Sequence, residues 1–126
     1  MAFYSKGAAY ERELMAILID KGFAVARIAG SGKAKTEEPD LIAGNGRLIM
    51  AIECKYSSTP YKTVSKEQVN DLVKFSKAFG AKAILAYRFS HMPWKFIELK
   101  DAVIENVSVK KTDELVSMAE LLGETK

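Results

Sequence analysis

Apolar residues near the start of the chain recur at helical spacing. With successive residues about 100° apart, Tyr10, Leu14, Ile17 and Leu18 share one stripe, predicting a helix over 5–21 that Gly22 ends. Phe23 to Ile28 then reads as a strand, and Leu41-Ile42-Ala43 and Leu48-Ile49-Met50-Ala51-Ile52 flank Gly44-Asn45-Gly46. Asn-Gly between apolar runs predicts a hairpin with Asn45 and Gly46 as its two-residue loop. Ser57 to Ser65, containing Pro60, reads as a loop. Ser65 is placed to cap a helix over 66–79, with Gly80 just past its end. Ala83–Tyr87 and Trp94–Glu98 supply two more strands, and Thr112 a cap for a short helix carrying Leu115, Ala119 and Leu122. The chain shows neither repeats nor an internal linker. The expectation is one α/β domain over 1–126, a central mixed five-stranded sheet flanked by helices.

Charged residues interrupt this pattern where it predicts burial. Leu48 to Ile52 is nearly continuous apolar sequence, as in a central strand covered on both faces, and Glu53-Cys54-Lys55 sits where that strand leaves its core. Counting back from the expected loop sets Asp40 opposite Ala51. Asp40 then shares a sheet face with Glu53 and Lys55, and lies diagonal to Glu53 at a backbone separation of roughly 7–8 Å. Two short acids so arranged can converge on one cation. The reading depends on register, because a one-residue slip turns Asp40 to the other face. Glu11 adds a third carboxylate, since it falls inside the apolar stripe of the first helix. Arg12 points away, while Glu13 and Asp20 lie at or beyond the stripe's border and are read as solvated charges.

The ordered set Lys6-Gly7, Glu11-Arg12-Glu13-Leu14, Gly22-Phe23-Ala24-Val25, Arg27, Ala29-Gly30-Ser31, Pro39-Asp40, Ala43-Gly44 and Ile52-Glu53-x-Lys55 resembles the archaeal Holliday junction resolvases of the PD-(D/E)xK nuclease superfamily. The likeness continues through Phe75-Ser76, Phe79-Gly80 and Trp94-Lys95-Phe96-Ile97-Glu98, covering nearly the whole chain. It implies a restriction-endonuclease-like fold and a dimeric, magnesium-dependent endonuclease that nicks opposing strands of four-way DNA junctions during recombination and repair. Manganese is expected to substitute for magnesium. Glu11, Asp40, Glu53 and Lys55 match the family's active-site positions, and the carbonyl of Cys54 is implied as a further metal ligand. Ser31, Arg12 and Arg27 match positions that support catalysis or hold phosphate. The stretch Gly32 to Glu38 varies within the family, so none of its residues can be assigned by the likeness.

The residue types fit that chemistry on their own terms. Phosphodiester hydrolysis needs an activated water and relief of negative charge, which Mg²⁺ on hard oxygen ligands can supply. Asp40 and Glu53 are the expected direct ligands and Glu11 a direct or water-mediated one, with Lys55 orienting water or steadying developing charge. One cysteine and one histidine make no zinc cluster. Cys54 reads as a small buried apolar side chain, His91 as a loop residue, and Ser31 as a hydroxyl donor to phosphate.

Composition narrows the class further. At 126 residues and 48% hydrophobic content, the chain is long enough for a core without disulfides. A lone cysteine and the absence of a signal-peptide or membrane-span pattern predict a cytoplasmic protein that does not engage membranes. The net charge of +3 is modest, but Lys6, Arg12, Arg27, Lys33 and Lys35 gather around the proposed site, and Lys62 and Lys66 flank the next loop. Such charges neutralise phosphates without reading bases. Phe75 and Phe79 on the second helix are candidate dimer contacts, with Met92 or Trp94 in support, because two cuts call for two related sites. Gln68, one turn into that helix, is either within reach of the site or a surface amide. Two alternatives remain open from sequence: a related repair or restriction nuclease acting on other DNA structures, and an inactive junction-binding protein. Replication or recombination proteins are candidate partners.

Overall fold

The computed structural model describes residues 6–28 and 38–124. Its first helix, α1 (Lys6–Asp20), buries Leu14 and Leu18 completely, so the helical stripe read from sequence is the face that meets the sheet. Strand β1 (Ala24–Arg27) follows and pairs antiparallel with β2 (Leu41–Gly44), which pairs antiparallel with β3 (Ile49–Ser57). The chain then forms β4 (Tyr61–Val64) and α2 (Lys66–Phe79) before returning as β5 (Lys82–Phe89), parallel to β3. Strands β6 (Lys95–Leu99), β7 (Val107–Lys110) and β8 (Val116–Ser117) precede a one-turn helix, α3 (Met118–Leu121).

Sheet order is β1-β2-β3-β5-β6-β8, with β4 and β7 forming a separate two-stranded ribbon. Among the described residues the main sheet therefore has six strands, not the expected five, though the mixed α/β architecture is as predicted. The extra elements come from long-range pairing that local pattern does not reveal. The stretch 57–65, read as a loop, yields β4 because Tyr61 to Val64 finds partners in Val107 to Lys110. Thr112 does not start a helix: Val116 and Ser117 pair with Phe96 and Lys95 at the sheet edge. Ser117 then caps α3 in a reciprocal capping box with Glu120, the stronger start signal.

The second helix has the predicted bounds. Ser65 accepts a hydrogen bond from the Gln68 N–H at 3.1 Å, and Gly80, at φ 85°, donates its N–H to Ser76 at 2.9 Å. Two apolar layers sandwich the sheet. On the α1 side Leu14, Leu18, Met50, Ile52, Ile84 and Phe96 pack together; on the α2 side Val69, Leu72, Ala51, Leu85, Tyr87 and Phe89 do. Strand β3 is buried on both faces through Met50, Ala51 and Ile52, which explains its unbroken apolar run. Its ladder to β5 continues beyond that core through Glu53, Cys54 and Lys55, so the charged triplet is held in paired, extended backbone.

Candidate active site

The hairpin register differs from the sequence-based count, and the difference sharpens the site. The ladder pairs Leu41 with Ile52 and Gly44 with Ile49, and the Asn45 N–H reaches the Leu48 carbonyl at 3.2 Å. Gly46, at φ 89°, and Arg47 thus form the tip, not Asn45 and Gly46. The Asn45 side chain accepts from the N–H groups of Arg47 and Leu48 at 2.9 and 2.8 Å, holding the turn as an Asx-type cap. Moving the turn by one residue moves each cross-strand partner by two, which preserves the sheet face. The Asp40 N–H also bonds the Ile52 carbonyl, at 3.0 Å, although Leu41 is the ladder partner of Ile52. Two consecutive residues facing one is the signature of a β-bulge, a common device for re-aiming a side chain beside a site. Asp40 therefore approaches Glu53 more directly than the expected diagonal.

The Asp40 carboxylate accepts a hydrogen bond from the Cys54 N–H at 2.8 Å. Burial nonetheless raises its pKa, and the nearby Glu11 charge adds to the rise, against the opposing effects of the Cys54 N–H, Lys55 and Arg27. Glu53 is pushed up to about 7, first by burial and then by the Asp40 charge, with Lys55 offsetting part of the rise. Lys55 Nζ lies 3.4 Å from Glu53 Oε2 and donates at the same distance to Gln68 Oε1 on α2. Gln68 is thus more than a surface amide: it is the second contact of the site lysine. Tyr87, the β5 partner of Lys55, is buried with its hydroxyl unpaired among the described residues, and burial pushes its pKa up to about 12.

Glu11 belongs to the same electrostatic neighbourhood but points its carboxylate at Arg27, whose Nε donates at 2.8 Å. Among the described residues no three acidic, histidine or cysteine side chains converge tightly enough to enclose an ion. Asp40 and Glu53 nevertheless form a half-buried pair of hard oxygen donors whose mutual repulsion a divalent cation would relieve. Hard oxygen donors of this kind fit magnesium or manganese. Cys54 packs against the α1-side core, and burial raises its thiol pKa well above the ordinary value, as expected of an inert cysteine. Arg12 is exposed, on the side of α1 away from the core. Ser31, Lys33, Lys35 and the Lys6 side chain lie outside the described residues.

One sequence-based assignment is overturned beside the site. Glu13 is not a freely solvated charge: its Oε1 accepts from Arg88 Nε at 2.9 Å and from Trp94 Nε1 at 2.7 Å. Trp94 is correspondingly only 6% exposed and belongs to the core, not to a free surface. Arg88 also lies 5.4 Å from the ring centroid of Tyr10, which stacks on Tyr56 at 4.0 Å. These aromatic and ionic contacts tie α1 to β3 and β5 between Glu11 and Lys55. Sequence reasoning missed them, although a tyrosine directly before Glu11 and another directly after Lys55 were visible. Phe75 and Phe79 stack on each other at 5.5 Å, and Phe79 remains 52% exposed.

Known proteins resemble this chain in sequence and in fold. The family model described as archaeal Holliday junction resolvase (hjc) matches residues 2–126. The crossover junction endodeoxyribonuclease Hjc of Archaeoglobus fulgidus is 40% identical over 96 residues, 76% of this chain and 71% of that protein. Its counterpart in Methanocaldococcus jannaschii is 42% identical over 87 residues, 69% of this chain and 62% of that protein. The solved structure of Archaeoglobus fulgidus Hjc, a Holliday junction resolvase, superposes with a TM-score of 0.81 at 32% identity, covering 92% of this chain and 98% of the other. A family match over residues 2–126, agreeing in fold with a solved member, means that this protein belongs to the archaeal Holliday junction resolvase family.

Proposed function

We propose that the Asp40–Glu53–Lys55 strand end hydrolyses phosphodiesters at four-way DNA junctions, cutting opposing strands in pairs. The chain is a structure-specific endonuclease of the junction-resolving class. The observation that carries the site assignment is the half-buried Asp40–Glu53 pair, two carboxylates of raised pKa beside a lysine at the end of the central strand. A fold has no structural need for such a pair, and neighbouring carboxylates of raised pKa are characteristic of functional sites.

Asp40 and Glu53 would hold Mg²⁺, or Mn²⁺ in its place, with Glu11 and the Cys54 carbonyl as further oxygen donors. The bound ion supplies Lewis acidity for activating water and offsetting phosphoryl charge. Lys55, shared between Glu53 and Gln68, is held to orient the attacking water or steady the developing negative charge. Arg27 would exchange its Glu11 partner for a DNA phosphate, freeing Glu11 at the moment substrate arrives. Lys6, Arg12, Lys33 and Lys35 would add phosphate contacts and Ser31 a hydroxyl donor, in keeping with the resemblance that assigns them or with their position in the chain. Shape, not base sequence, is the basis of recognition.

Paired incisions are best served by two copies of the site. The stacked Phe75 and Phe79, with Phe79 half exposed, are the proposed anchor of a two-fold dimer. A monomeric mass by light scattering at working concentration would remove the dimer. The substrate assignment is tested by incubating the protein and Mg²⁺ with a four-way junction, a matched linear duplex and a flap, and mapping cuts on every strand. Symmetric nicks confined to the junction are expected; equal cutting of the linear duplex would defeat the assignment.

A further inference from the structure

The two-stranded ribbon presents an outer face of uniform chemistry. Tyr61, Thr63, Ser108 and Lys110 are all exposed, Tyr61 facing Lys110 and Thr63 facing Ser108 across the ladder, where the two hydroxyls lie 2.7 Å apart. The opposite face sends Val64 and Val109 into the α2-side core, and the Lys111 N–H closes the ribbon's end on the Pro60 carbonyl at 2.7 Å. The outer face is therefore supported from beneath.

Its location is equally defined. Strand β4 spans the gap between the end of β3 and the start of α2, the two elements whose Lys55 and Gln68 meet at 3.4 Å. The Tyr61 carbonyl accepts from Ser57 Oγ at 3.1 Å, only two residues beyond Lys55. The ribbon is thus a rim of the candidate active site.

Charge sets the ribbon apart from the far end of the sheet. There Lys77 pairs with Asp101 at 3.6 Å and Lys82 with Glu98 at 4.0 Å. Lys62, Lys66, Lys110 and Lys111 make no ion pair among the described residues. The acids close in sequence are Glu67 in the first turn of α2, Glu105 just before β7, Asp113, whose carboxylate is engaged by the Lys110 backbone N–H at 2.9 Å, and Glu114. Lys110 on the outer face and Lys111 at its end, beside a row of small hydroxyls with one exposed tyrosine, suit a polyanionic rod and carry no base-reading groups.

We infer that the outer face of the β4–β7 ribbon is a second DNA-contact surface, seating the phosphate backbone of a duplex arm as it leaves the cleavage site. Lys110 and Lys111 neutralise phosphates and Tyr61 packs against the sugar–phosphate chain. The inference rests on the junction-endonuclease reading of the neighbouring site. The test measures junction binding across a series of salt concentrations for wild type, Lys110→Ala/Lys111→Ala and a Lys77→Ala/Lys82→Ala control, with melting curves to verify folding. The ribbon variant is expected to bind about tenfold more weakly at low salt, and its log K against log salt slope to be shallower by about 2, near 0.9 for each lost phosphate contact. The control leaves both the affinity and the slope unchanged. Lys110→Gln/Lys111→Gln repeats the measurement should the alanine pair melt early. A wild-type slope in a folded ribbon variant that still cuts junctions overturns the ribbon contact alone. Equal cutting of junction and linear duplex by wild type overturns the resolvase reading, while a slope change on the duplex would still uphold the ribbon.

Discussion

Two carboxylate sites lie near α1, and they differ in how their charge is met. At the Glu13 corner one oxygen receives both a guanidinium N–H and the indole N–H of a buried tryptophan. At the Asp40–Glu53 strand end the carboxylates stand beside each other under partial burial, and their pKa values rise in response. The first cluster is complete in itself and fastens helix to sheet. At the second, Lys55 at 3.4 Å offsets only part of the shared burial and repulsion, so the fold carries an electrostatic cost that a bound cation or a proton would relieve. The same residue types thus separate into structure and chemistry by their partners and their depth.

The comparison can be broken at either end. The largest effect is expected from Asp40→Asn and Glu53→Gln, each lowering single-turnover junction cleavage by at least about 100-fold, as when a charge-stabilising active-site group is lost. Junction affinity in a gel-shift assay should stay near wild type, and wild-type cutting by either variant would refute the site. Glu13→Ala is expected to act on stability: it orphans the Trp94 N–H and frees Arg88, costing roughly 2 kcal/mol in urea denaturation, with the exposed part of the ion pair contributing little. A loss confined to cleavage, with stability intact, would move Glu13 into the catalytic group.

The smallest expected effect has the opposite sign. Because the Glu53 pKa is about 7 in the folded protein and near 4.5 for an unperturbed glutamate, the unfolded chain releases that proton first as pH rises. In chelator, stability should therefore be highest below the unfolded value and decline as pH rises from about 4.5 to 7. Glu53→Gln removes the penalty and should stabilise the metal-free protein by on the order of 1–2 kcal/mol above pH 7, the gain vanishing below about pH 4.5. Denaturation midpoints at pH 4 and pH 8 measure it. An equal effect at both pH values would mean that burial does not penalise the charged form.

Local order was largely legible in the chain. Helix α2 begins after Ser65 and ends before Gly80 because capping and termination depend on residues within a few positions. The apolar run before Glu53 announced a strand buried on both faces for the same reason. The hairpin was read in outline but not in register, since Asn45 could cap the turn or lie within it, and only its hydrogen bonds to Arg47 and Leu48 chose. The ribbon and the edge strand β8 were missed altogether, because β4 and β7, like β6 and β8, acquire extended partners from distant parts of the chain.

Residue type and short-range spacing were enough to single out Glu11, Asp40, Glu53 and Lys55, because a charge inside an apolar pattern is anomalous wherever the chain goes. Tertiary structure alone decided which of those charges are compensated. Glu11 meets Arg27 and Glu13 meets Arg88 and Trp94, leaving Asp40 and Glu53 to share their burial. Compensation depends on separations of a few ångströms between side chains from different elements, a scale on which Coulomb and desolvation energies change steeply and which sequence distance does not encode.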